Sequence, residues 1–179
     1  MKKIVPIIAI AAIVLMSMAS AETTPKYVGS GKCKMCHKTE KQGKQFLLWE
    51  ESSHAKAYLT LASEEAKTVA TKLGIENAQT SDQCLSCHVT AFSVADSLKE
   101  KTFSIEEGVG CEACHGPGSD YKKMSIMKNR DKAIGAGLWL PDENTCVKCH
   151  NKDSPTYKEF KYEERLAEIA HPRPPEAAK

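Results

Sequence analysis

The chain has 179 residues, with 25 basic and 23 acidic side chains and only 6% aromatic residues. That length suits one domain, and a near-neutral charge with no basic stripe of interleaved aromatics argues against a nucleic-acid partner. A mean hydropathy of -0.40 with so few aromatics makes for a weak core, unless something other than side chains fills it.

The first 21 residues read as a secretory signal. Lys2 and Lys3 precede an apolar run from Ile4 to Met18 and small residues at Ala19-Ser20-Ala21, the arrangement of a cleavable leader. The run is shorter than the ~20 residues of a spanning helix, and no cysteine lies at the cut to take a lipid. The expected mature chain is a single domain, residues 22–179, exported to the periplasm or cell surface with no transmembrane segment. Loss of the two lysines leaves it with equal numbers of basic and acidic side chains.

In chain order, CKMCH at 33–37 comes first, followed by a stretch in which Leu47, His54, Tyr58 and Leu61 recur at helical intervals with Phe46 and Trp49 alongside. This predicts one helix face. Ser63, followed by Glu64 and Glu65, predicts a capped helix that stops at Gly74. CLSCH at 84–88 and CEACH at 111–115 come next, the latter inside GVGCEACHGPG. A third helix is predicted from Asp120 towards Gly135, then CVKCH at 146–150, then a fourth helix through Glu159–Ala170 ending at His171-Pro172. PRPPEAAK reads as a frayed tail. Strand signals are poor, so the expected class is mainly α, helices and loops wrapped around a non-peptide core.

Cysteine identifies that core. All eight cysteines fall in four CxxC pairs, and each pair is followed at once by a histidine. Two thiols separated by two residues can each form a thioether to a porphyrin vinyl group, which holds the next residue, histidine, under the iron. Disulfides would not need the histidine. A zinc ribbon would combine two pairs per tetrahedral site, and a thioredoxin-like dithiol needs a βαβ context and occurs once. The reading is four covalently attached haem c groups, held by Cys33 and Cys36, Cys84 and Cys87, Cys111 and Cys114, and Cys146 and Cys149, with proximal iron ligands His37, His88, His115 and His150. The motif starts are 51, 27 and 35 residues apart, so this is no tandem repeat. The macrocycles supply much of the buried apolar area, and apoprotein is expected to be largely unfolded.

Only His54 and His171 remain for the opposite faces of four irons. His54, on the apolar helix face, is a candidate distal ligand. His171, at the end of a segment carrying Phe160, Leu166 and Ile169, is a second. Met124 and Met127 follow the HGPG turn, and a thioether is an axial donor that raises haem potential relative to histidine, although a methionine on such a helix more often packs.

KCKMCHKTEKQ, SSHAKA, DQCLSCHVTAF and GVGCEACHGPG, in this order and at these intervals, resemble the cytochrome c-554 family of tetrahaem proteins over residues 30–150. The resemblance implies a largely helical fold with closely packed haems and electron transfer. It also implies that His54 caps the iron of His115, and that the haem of His88 lacks a protein ligand on its far side. Two departures stand out. The family pattern has a histidine after the HGPG turn, where this chain has SDYKKMSIM, so a methionine on the haem of His37 fits the replacement. A histidine expected before the fourth motif is missing from LWLPDENTCVKCH, which makes His171 the candidate for the haem of His150, with that of His88 as the alternative.

Three function classes follow. The first is a carrier of single electrons between redox partner proteins, in which the haems do the chemistry and the protein sets their potentials. The second is an enzyme reducing nitric oxide, nitrite or peroxide at an open haem, for which no cluster of proton donors can be recognised. The third is a homo-oligomeric conducting filament in which a neighbouring chain supplies a missing ligand.

Overall fold

The structure is a computed structural model that describes residues 24–171; the predicted signal at 1–21 and the tail PRPPEAAK lie outside them. Among the described residues the regular structure is helical: α1 Gly31–His37, α2 Gln45–Glu51, α3 Ala57–Thr60, α4 Glu64–Lys72, α5 Asp82–His88, α6 Cys111–His115, α7 Met124–Met127, α8 Arg130–Gly135, α9 Glu143–Cys146 and α10 Tyr162–Ile169. The one extended pairing is an isolated bridge between Tyr27 and Lys99. No helix among these residues is long and apolar enough to cross a membrane.

The helices are short for local reasons. The single helix face predicted through His54 breaks at Ser52, whose backbone is extended (φ -71°, ψ 163°). Ser52 Oγ donates to the Trp49 carbonyl at 2.7 Å, a local bond that competes with helix continuation. His54 therefore sits in the turn between α2 and α3. The predicted helix from Asp120 divides in the same way: Asn129 is extended, and its side chain accepts from Lys132 N to start α8 anew. The Ser63 cap forms as predicted, its Oγ accepting from Ala66 N at 3.1 Å.

Two kinds of interior result. An apolar cluster of Leu61, Ala70, Ala78, Leu85 and Val89 joins α4 and α5, with Tyr58, Ile75 and Phe92 packed against it. The other interior is polar and centres on Glu112, 2% exposed, beside Val28 and Ser30 at 0% and 2%. After Ala133 no described residue is buried.

Candidate haem centre

Each CxxCH motif forms or borders one turn of helix, which brings both cysteines and the histidine to one local surface. α1, α5 and α6 each end on their motif histidine, and α9 ends on Cys146. None of the eight cysteines is paired in a disulfide. Among the described residues, no three His, Cys, Asp or Glu side chains converge on a metal-ion site. Burial pushes the Cys114 thiol up to about 11 and, together with nearby Cys87, the Cys149 thiol up to about 12.

The residue after the first cysteine anchors each motif differently. In α5 it is Leu85, buried in the apolar cluster. In α6 it is Glu112, whose carboxylate accepts from Val28 N at 2.9 and 3.0 Å, Gly29 N at 2.8 Å and Gly118 N at 2.6 Å. This ties the N-terminal segment and the HGPG turn to the third motif. Burial holds the Glu112 carboxyl above its usual range, against the pull of those three N–H groups. In α1 the equivalent residue is Lys34, over the Phe46 ring at 4.9 Å and paired with Glu50 at 3.6 Å. In the fourth motif it is Val147, 36% exposed.

Three motif histidines turn Nδ1 towards an acceptor. His88 Nδ1 donates to the Ala57 carbonyl at 2.8 Å, His115 Nδ1 to the Trp139 carbonyl at 3.2 Å, and His37 Nδ1 to Gln45 Oε1 at 3.2 Å. An imidazole with its proton committed at Nδ1 leaves Nε2 free to bind a metal. The donor set thus fits a haem iron: thiols flank a histidine already in the ligating tautomer. Trp139 N returns a bond to the His115 carbonyl at 3.0 Å, and the Trp139 ring lies where a Cβ on Gly116 would meet it at 2.7 Å. Only glycine, with φ +76°, fits that turn.

The two remaining histidines each face a motif histidine, with the partners exchanged relative to the sequence expectation. The rings of His54 and His150 have centroids 6.0 Å apart, and those of His115 and His171 are 5.9 Å apart. Metal–imidazole bonds of about 2 Å on both sides of one ion put ring centroids on the order of 6 Å apart. The ring of His54 lies against His150 and not against His115, because its backbone and ring face different motifs. Its carbonyl accepts from Val109 N at 2.9 Å, next to the third motif, while its ring reaches the fourth. His171, expected at His150, instead meets His115. Partial desolvation, then the facing ring, holds His54 and His171 below the usual histidine range. Partial desolvation also lowers His115 and His150. All four are held towards the neutral form that binds metal.

The motifs also approach one another. Cys33 lies beside Cys111, Cys149 beside Cys87, and Cys114 near Cys146, each pair close enough for one thiol to raise the other's pKa or lower it. Met124 is 60% exposed and Met127 partly buried, and no described contact joins either to His37. Glu112, Gln45 and Trp139 escaped the sequence reading. For Glu112 the available signal was an acid set among GVGC and HGPG, where bare glycine N–H groups need an acceptor.

The chain matches the family described as Cytochrome c554 and c-prime over residues 32–116, which takes in the first three motifs. It is 32% identical over 159 residues to cytochrome c-554 of Nitrosomonas europaea, an alignment covering 80% of this chain and 66% of that protein. No solved structure matches. With its CxxCH helices and their oriented histidines, the chain belongs to the cytochrome c-554 family of c-type cytochromes, whose haem c is covalently bound.

Proposed function

We propose that the protein is an exported tetrahaem electron carrier, moving single electrons between redox partner proteins in the periplasm as one domain after cleavage before Glu22. The observation that carries this is the set of four CxxCH motifs, three with Nδ1 already bonded to an oxygen and two faced by a further histidine. His54 with His150 would hold the fourth iron, and His171 with His115 the third. The haems of His37 and His88 would receive no second histidine, because all six in the sequence are then committed. Met127, less exposed than Met124, is the thioether candidate for the haem of His37.

Haem supplies reversible one-electron chemistry; the chain supplies attachment, axial ligands and spacing. Contacts between motif cysteines support neighbouring haems on motifs one and three and on motifs two and four, with Cys114 near Cys146 joining the two pairs. An electron relay in the order first, third, fourth, second motif follows. Intact mass of the protein from a host that exports and matures c-type cytochromes tests the reading. The expected mass is that of residues 22–179 plus four haems, and fewer than four on intact wild-type protein refutes it.

A further inference from the structure

Of the three oxygens that accept from a motif histidine, those of Ala57 and Trp139 belong to the main chain, while the one facing His37 is the side chain of Gln45. We infer that Gln45 is a positioning residue that fixes the orientation and basicity of His37, and through it the reduction potential of the haem on the first motif. This rests on the reading that His37 is the proximal ligand of a haem.

The surrounding chain is built to hold that carboxamide. Gly43 (φ 93°) and Lys44 (φ 54°) take left-handed backbone, and Lys44 N donates to the Thr39 carbonyl at 3.0 Å. The chain is thereby reversed, and Gln45 opens α2 in a buried position beneath α1. Gln45 Nε2 donates to the Gln42 carbonyl. That bond decides which end of the amide faces His37, since the flipped form would set carbonyl against carbonyl. Buried Phe46 under Lys34, and Lys34 paired with Glu50, clamp α1 to α2.

An acceptor at Nδ1 raises the basicity of a metal-bound imidazole. A more basic ligand favours the higher charge on ferric iron, so a stronger acceptor lowers the reduction potential and its removal raises the potential. At the second and third motifs the acceptor is main chain, which side-chain substitution leaves in place. The first motif is where one side-chain change sets this bond.

The test uses holoprotein of wild type, Gln45→Glu and Gln45→Met, the last preserving length and burial without the acceptor. A haem count by pyridine haemochrome comes first: a missing haem in wild type overturns the tetrahaem reading, whereas potentials address Gln45 itself. With haem complete, redox titration followed by visible absorption and electron paramagnetic resonance should show one potential moving down in Gln45→Glu and up in Gln45→Met, the others staying in place. Potentials unmoved in both variants, or moved in the same direction, overturn the role. If Gln45→Glu does not accumulate, Gln45→Met decides alone: an upward shift of one centre supports the role, and no shift or a downward one overturns it.

Discussion

Between Val28 and Ala133 the chain fastens its own backbone. Glu112 collects three N–H groups, Thr90 Oγ1 accepts from Gly110 N at 2.7 Å, Ser30 Oγ accepts from Cys111 N at 3.1 Å, and Thr102 Oγ1 donates to the Val28 carbonyl at 2.7 Å. Beside this network, α4 and α5 share an apolar cluster. Beyond Ala133 no described residue is buried. That segment meets the rest through Trp139 at His115, His150 at His54, His171 at His115, and Cys146 and Cys149 beside Cys114 and Cys87. Its points of return converge on motif residues, so under the proposed ligation the polypeptide would hold the first region and the haems the second. Buried hydrogen bonds and apolar area can stabilise a region without cofactor; a segment with neither borrows its order from what it ligates.

Removing the fourth attachment should separate the two regions most. In Cys146→Ser/Cys149→Ser, limited proteolysis read by mass spectrometry should show cleavage concentrated after residue 140, with 28–133 still protected. Protection of the whole chain would break the comparison. The single-ligand variants come next. His54→Ala and His171→Ala should each convert one low-spin centre to high-spin in electron paramagnetic resonance, and the double variant should convert two, since the ring pairs share no member. Conversion of the same centre by both single variants would mean that the pairs are not separate. A third change strikes the first region: Glu112→Gln turns one acceptor oxygen into a donor facing buried N–H groups. With each unsatisfied group costing about 1–3 kcal/mol, a loss of about 3 kcal/mol, or roughly 6–12 °C in Tm, is expected by thermal melting with haem content unchanged.

What the sequence disclosed and what it hid divide along the same physical line. CxxCH residues are legible because thioether attachment and proximal ligation are completed within five residues, and the Ser63 cap is legible because it bonds only three residues away. The partner of His54 is not. Its position between two short helices follows from Ser52 bonding back to Trp49, and its ring and carbonyl answer to different motifs. Glu112 reads as an ordinary surface acid, and only the folded chain shows three distant backbone N–H groups converging on it. The four residues after the first cysteines, Lys34, Leu85, Glu112 and Val147, look like free choices in a motif that ignores them. In the fold they are a cation on a ring, a core residue, a backbone acceptor and an exposed side chain, so chemically identical motifs are fastened to the protein in four ways.

The smallest effects come from two helix caps, one in each region, and their difference sharpens the comparison. Ser63 caps α4, which carries Ala70 into the apolar cluster; Ser63→Ala should lower the stability of the whole first region by about 1 kcal/mol, seen as a lower Tm. Asp142 caps α9, accepting from Thr145 N at 3.0 Å while Thr145 Oγ1 accepts from Asp142 N at 3.3 Å. Hydrogen bonds from Asn144 and then Thr145 hold its carboxyl below the usual range. An acid lowered in the fold contributes fully above its unfolded value and loses that contribution as pH falls through the folded one, so this cap weakens only in acid. If α9 is ordered chiefly through the haem of His150, Asp142→Ala should speed amide hydrogen exchange at residues 143–147 and leave the Tm of the first region unchanged. A Tm drop matching that of Ser63→Ala would show that the C-terminal segment unfolds together with the rest, and that its lack of buried residues does not make it a separate unit.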